Sequence, residues 1–109
     1  MKTFAVIGLG QLGAAVAQYL CANGAEVIAI DRNLERVEAL KDVVARALCL
    51  DSTNEKALRE AGVVECGCVI LALGEGQLEE AVLTTVLLRQ LGVGQIVSRA
   101  ATDVQARVL

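Results

Sequence analysis

Gly8, Gly10 and Gly13 stand at the spacing G-x-G-x-x-G, with Leu9, Gln11 and Leu12 between them, and Asp31 follows at the separation of about 20 residues that dinucleotide sites use. The apolar run Phe4-Ala5-Val6-Ile7 precedes the glycines and Ala14 to Leu20 follows as a helix-like stretch. A strand that stops at such a turn and feeds a helix gathers bare N–H groups and a positive helix end at one point, where a phosphate can be held. The glycines have separate tasks: Gly8 permits the turn, Gly10 lets the backbone approach a pyrophosphate, and Gly13 lets the helix lie close on the sheet. Asp31 can accept hydrogen bonds from both ribose hydroxyls and would repel a 2′-phosphate, which favours NAD(H) or an adenine nucleotide over NADP(H). Arg32 beside it keeps a small opening for the phosphorylated cofactor. The other role open to Asp31 is to cap the helix after it.

Further candidates fall at the ends of later strand-like runs. Asp51 and Ser52 could reach the adenine edge, or could serve a helix start, because Ser52 and Glu55 have capping-box spacing. Leu73 and Gly74 would face the nucleotide from the opposite wall. Arg99 could pair with a phosphate oxygen or stand solvated at its strand end.

The elements that must position these residues alternate regularly. Strand-like runs are Phe4 to Ile7, Glu26 to Ile30, Ala45 to Leu50, Cys66 to Leu73 and Gln95 to Arg99. Helix patterns lie between them: from Gly13 to about Ala22, ending at Asn23-Gly24; from Asn33, with a stripe of Leu34, Val37 and Leu40; around Ala57, Leu58 and Ala61, ending at Gly62; and from about Leu78 to Leu91. Thr102 or Asp103 can cap a last helix, of which only Val104 to Leu109 are present, so the domain is expected to be truncated there. The alternation predicts a Rossmann-like α/β fold, an open doubly wound parallel sheet in three α/β/α layers. Ligands bind such sheets beyond the carboxyl ends of the strands, so all the candidate turns share one rim.

Composition narrows the function. The 109 residues are 55% hydrophobic, yet include one Phe, one Tyr and no Trp, and the net charge is −3. Bases are stacked on aromatics and phosphodiesters are held by basic patches, so nucleic acid is an unsuitable partner. No apolar run reaches the roughly 20 residues that span a bilayer, and no signal peptide is recognisable, which predicts a cytoplasmic chain with no direct membrane insertion. Cys21, Cys49, Cys66 and Cys68 lack metal-site spacing and there is no histidine, so no metal is expected and the thiols read as small buried hydrophobes. The C-x-C pair, on a strand, would turn both sulfurs to one face and leaves room for a thiol redox sensor. The helix from Leu78 is apolar on more than one face, as though part of it met another subunit.

No histidine, no serine or cysteine with a nearby base, and no lysine of P-loop type accompany the nucleotide site. A site that binds without catalytic groups is more simply a sensor than an enzyme. The alternative is the cofactor-binding part of an NAD-dependent dehydrogenase whose catalytic part is absent.

The sequence resembles the KTN, or RCK, domain family, of TrkA-N type, which regulates prokaryotic potassium transporters and channels. The resemblance is carried by Phe4 to Gly13, Glu26 to Asp31, Asp51-Ser52-Thr53, Val69 to Gly74, Leu83-Thr84-Thr85-Val86-Leu87-Leu88 and Arg107-Val108-Leu109. It implies a cytoplasmic domain that binds NAD(H), ATP, ADP or AMP, forms homodimers or higher rings, and reports ligand state to an integral-membrane potassium transporter or channel subunit at the inner face of the membrane. On this resemblance the turn from Gly8 to Gly13 holds phosphates, Asp31 the ribose, Asp51 and Ser52 the adenine side, and Leu73 and Gly74 the opposite wall. Members that grip a triphosphate commonly carry arginine where this chain has Gln11, a departure that tilts the choice towards NAD(H) or a shorter nucleotide. The family also usually continues to a sixth strand and a crossover helix.

Overall fold

A computed structural model describes residues 2–98; Arg99 and the expected last helix lie outside the described residues. The elements run β1 (Thr3–Ile7), α1 (Gln11–Ala22), β2 (Glu26–Asp31), α2 (Leu34–Leu40), β3 (Arg46–Cys49), α3 (Glu55–Ala61), a 3₁₀ turn (Val63–Glu65), β4 (Cys68–Leu71), α4 (Leu78–Gln90) and β5 (Ile96–Ser98). The strands form one parallel sheet in the order β3-β2-β1-β4-β5. The chain steps outwards from β1 to β3, then crosses to the other side of β1, so the strand order reverses between β1 and β4.

Two apolar layers follow from the strand period of two. Ala5, Ile7, Ile28, Ile30, Val69 and Leu71 face α3 and α4, where Leu58, Ala61, Ala81 and Leu88 meet them. Val6, Val27 and Ala29 face α1 and α2, against Ala17, Val37 and Leu40. Both sheet faces are therefore covered, as the aliphatic composition requires of a parallel sheet. The result is the expected Rossmann-like three-layer fold.

The structure corrects several details. α1 begins at Gln11, so Gly13 lies in its first turn. Leu34 is 58% exposed and outside the stripe. Steps of three residues drift by about 60° each on a helix, and from Leu40 the second step has turned well away from the core. The buried line instead runs Val37, Leu40, Val44. The helix after Asp51 is capped by Asn54, whose side chain accepts the Ala57 N–H, and not by Ser52, which is committed to a buried partner on α4. Cys66 precedes β4, because its N–H donates to Val63 O and closes the 3₁₀ turn; the C-x-C pair is therefore not on one strand. Cys66 and Cys68 are buried as expected, but Cys49 is exposed, its thiol donating to Arg32 O at 3.3 Å.

Candidate functional site

Parallel register brings the strand ends level. Ile7 lies beside Ile30 and Leu71, and Asp31 beside Cys49. Two further bonds extend the ladders to the rim, Gly8 N–H to Ile30 O at 2.9 Å and Ala72 N–H to Ile7 O at 2.8 Å. Gly8 then turns with φ +98°, and a Cβ there would come within 2.9 Å of the Ala72 backbone, so both conformation and space demand glycine. Gly13 is required for space alone: its Cβ would collide with the carbonyl oxygen of Gly8. This close contact sets α1 directly against the end of β1.

A cavity of about 280 Å³ opens at this rim, over the point where the strand order reverses. Gly8, Gly10, Gln11 and Leu12 form its floor, Asp31, Arg32 and Ser52 one side, and Leu73 and Gly74 the other. Gly10 is the N-cap of α1; no side chain caps that helix end and no acidic residue occupies its first turn, among the described residues. The positive end of the helix therefore faces the cavity with no side-chain cap. The Gly10 Cβ position has only the Arg36 guanidinium nearby, at 3.9 Å, so the backbone is open to a ligand there.

Asp31 is 8% exposed and has both oxygens engaged. Oδ2 accepts the Leu9 N–H at 2.7 Å and Oδ1 accepts the Asn33 N–H at 2.8 Å. These bonds tie the glycine turn to the end of β2 and fix the carboxylate's orientation. Each oxygen retains a lone pair that can accept a ribose hydroxyl. The cap of α2 is supplied by Asn33, whose side chain accepts the Arg36 N–H at 3.3 Å, so Asp31 is released from that duty.

Three of the sequence candidates stand beside the cavity rather than on its wall. The Leu9 side chain is in the core and only its N–H serves the site; Gly13 works through packing. Asp51 is exposed on the rim, where its carboxylate accepts from the Thr53 N–H and hydroxyl at 2.9 and 2.7 Å. The Thr53 hydroxyl and then its N–H hold the Asp51 carboxyl below its ordinary value, with Arg32 adding to the effect. Arg99 lies outside the described residues.

Sequence reasoning missed Arg36, Gln77 and Glu80, all on the cavity wall. Arg36 Nη1 is 3.9 Å from Asp31 Oδ2, which puts a cation beside the glycine turn that Gln11 does not supply. Gln77 Oε1 accepts the Gly74 N–H at 2.7 Å. Glu80 pairs with Arg32 at 3.1 Å. Their charged and polar character was visible, but nothing local distinguished them from a solvated helix face. The C-x-C thiols are remote from this rim; burial pushes both Cys66 and Cys68 up from the ordinary thiol value, which keeps them protonated.

The chain as a whole is similar to known proteins. The chain is 37% identical over 108 residues to Ktr system potassium uptake protein C of Bacillus subtilis, a match covering 99% of this chain and 48% of that protein. It is 34% identical to Ktr system potassium uptake protein A of Vibrio alginolyticus, over 99% of this chain and 49% of that one. The chain thus spans about half the length of the curated relatives it matches. Among solved structures, the NAD(P)-binding domain of an exopolyphosphatase-related protein from Archaeoglobus fulgidus superposes with a TM-score of 0.85 at 22% identity, over 98% of this chain and 79% of that chain. The TrkA-N domain family model matches residues 4–109, and the chain belongs to that family.

Proposed function

We propose that this chain is a nucleotide-sensing domain of a potassium transport system, with NAD(H) as its preferred ligand and ATP, ADP or AMP as alternatives. The observation that carries it is the cavity at the strand-order reversal, in which a glycine turn, an uncapped helix N-terminus and the oriented carboxylate of Asp31 converge. In this reading the pyrophosphate lies over Gly10 and the N–H groups that open α1, and the adenosine ribose on Asp31. Ser52 borders the adenine, and Leu73 and Gly74 close the far wall. Arg36 supports the phosphates in place of a cation at Gln11. The relatives' names as potassium uptake proteins support the transport role, and the solved NAD(P)-binding domain of like fold supports a dinucleotide.

The domain acts as a regulator and not as an enzyme, because the sequence offers no histidine or other recognisable acid–base set beside the cofactor. It works at the cytoplasmic face of the membrane, as a homodimer or higher ring, by holding different ligands with different affinity in two conformations that an integral-membrane transporter subunit senses. Only such differential binding can move the equilibrium. No described helix is long and apolar enough to cross a membrane, which accords with a peripheral role through a partner. Calorimetric titration of the purified chain with NAD⁺, NADH, ATP, ADP and AMP tests the proposal: saturable heat with NADH is expected, and no heat and no thermal shift with any of the five would end it.

A further inference from the structure

Arg32 follows the ribose-side carboxylate, the place where a free arginine lets a dinucleotide site accept a 2′-phosphate. Here it is not free. Its Nη2 lies 3.1 Å from Glu80 Oε1 and 3.6 Å from Asp51 Oδ1. Glu80 is the better-enclosed partner, 17% exposed against 57% for Arg32, and Gln77 Nε2 donates to the same Glu80 oxygen at 3.5 Å. Gln77 in turn holds the Gly74 N–H, so Glu80 is anchored to the turn after β4. It also stands in the first turn of α4, where the positive end of the helix attracts an acidic side chain. The ion pair therefore crosses the mouth of the cavity from the end of β2 to the start of α4.

A phosphate ester arriving beside Asp31 would have to take Arg32 from Glu80 and then rest among the carboxylates of Asp31, Asp51 and Glu80. The Arg36 guanidinium lies between Asp31 Oδ2 and the Gly10 turn, 3.9 Å from that oxygen and from the Gly10 Cβ position, whereas Arg32 is the cation beside Asp51 and Glu80. Among the described residues that line the cavity, no other basic side chain occurs. We propose that Glu80 is a specificity-determining residue of the nucleotide site: it holds Arg32 away from the ribose, so that the cavity takes NAD(H) and rejects NADP(H). This rests on the nucleotide reading above and adds a second discriminator to Asp31, placed on a different element. An exposed pair of this kind contributes little to stability, so its effect belongs to selectivity.

The test is a double-mutant cycle on the 109-residue chain, with NADH and NADPH titrated into wild type, Glu80→Gln, Arg32→Gln and the double variant. Glu80→Gln keeps the shape of the side chain and releases the arginine. Wild type is expected to favour NADH by at least about tenfold, and Glu80→Gln to narrow that preference by about five- to tenfold through a new charge-assisted contact with the 2′-phosphate. In the Arg32→Gln background the same substitution should leave the preference within about twofold. An unchanged preference in Glu80→Gln overturns the proposal, as does equal narrowing without Arg32, which would mean that Glu80 repels the phosphate directly. Failure of wild type to bind either dinucleotide overturns the choice of NAD(H) as preferred ligand and this proposal together; binding with an unmoved preference overturns this proposal alone.

Discussion

The Ser52 Oγ lies 2.8 Å from the Thr84 Oγ1, both side chains buried, and the same threonine hydroxyl also reaches Ser52 O at 3.3 Å. This contact pins the loop after β3, one wall of the cavity, to the middle of α4. Thr84→Val keeps the shape of the side chain but takes away the described partner of the buried Ser52 hydroxyl and the donor to Ser52 O, at a cost of about 1–3 kcal/mol. Urea denaturation should show that loss, and Thr84→Ser should recover most of it. Thr85 provides the contrast. Among the described residues its hydroxyl donates only to Ala81 O in its own helix, so Thr85→Val should change stability by less than about 1 kcal/mol.

Gly10 and Gly13 are three residues apart and should respond oppositely to alanine. Gly13→Ala drives a methyl group into the Gly8 carbonyl, and since both atoms belong to packed backbone, α1 must lift from the sheet. A destabilisation above about 3 kcal/mol, or loss of folding, is expected. Gly10→Ala meets only the mobile end of Arg36, and φ at Gly10 is −69°, so the variant should melt like wild type. Its methyl group stands where a pyrophosphate would lie, and NADH affinity should fall by at least about tenfold. Equal melting temperatures for the two variants would refute this division of roles.

The alternation of elements was legible because small aliphatic residues fill every strand and glycine ends most helices. The meeting of Gly8, Gly10, Gly13 and Asp31 at one rim was legible too, since their spacing follows one strand, opens a helix and ends the next strand. Other features depended on residues far apart in the chain. Ser52 and Glu55 have a capping pattern that is locally sound, but Thr84, at a separation of 32 residues, claims the Ser52 hydroxyl. The apolar run from Cys66 to Leu73 gave no local sign that its first residues close a 3₁₀ turn. Arg36 and Glu80 lie on helices and Gln77 immediately before α4, and only the placement of α2 and α4 at the rim brings the three to the cavity.

Arg36 should contribute to affinity without choosing among ligands. It stands beside the phosphate turn, exposed and weakly engaged with Asp31 at 3.9 Å. Arg36→Gln should weaken NADH, NADPH and ADP alike by about three- to tenfold, and should flatten the salt dependence of binding. Asp31→Ala differs: loss of its ribose contact should cost NADH about 1.5–3 kcal/mol, while loss of the acceptor for the Leu9 and Asn33 N–H groups lowers stability as well. Titrations below the melting temperature of each variant separate the two effects. A ligand-selective loss in Arg36→Gln would place that guanidinium on the ribose instead.

Cys66 and Cys68 should contribute to a fall in stability at alkaline pH. Burial raises Cys66, with the Glu65 charge adding to it and Arg46 opposing; burial alone raises Cys68. Because both folded values lie above the unfolded one, the stabilisation is complete below about pH 8.5 and is lost as pH rises through the folded values. Denaturation midpoints should therefore be insensitive to these thiols from pH 6 to about pH 8 and decline above about pH 8.5, and the decline should shrink in the Cys66→Ala/Cys68→Ala variant. The same burial orders their chemistry. At neutral pH a disulfide reagent should modify exposed Cys49 first, and reach Cys66 and Cys68 only at the rate of local opening. Mass spectrometry of partly modified protein reads the order directly, and Cys66 or Cys68 reacting as fast as Cys49 would contradict their place in the core.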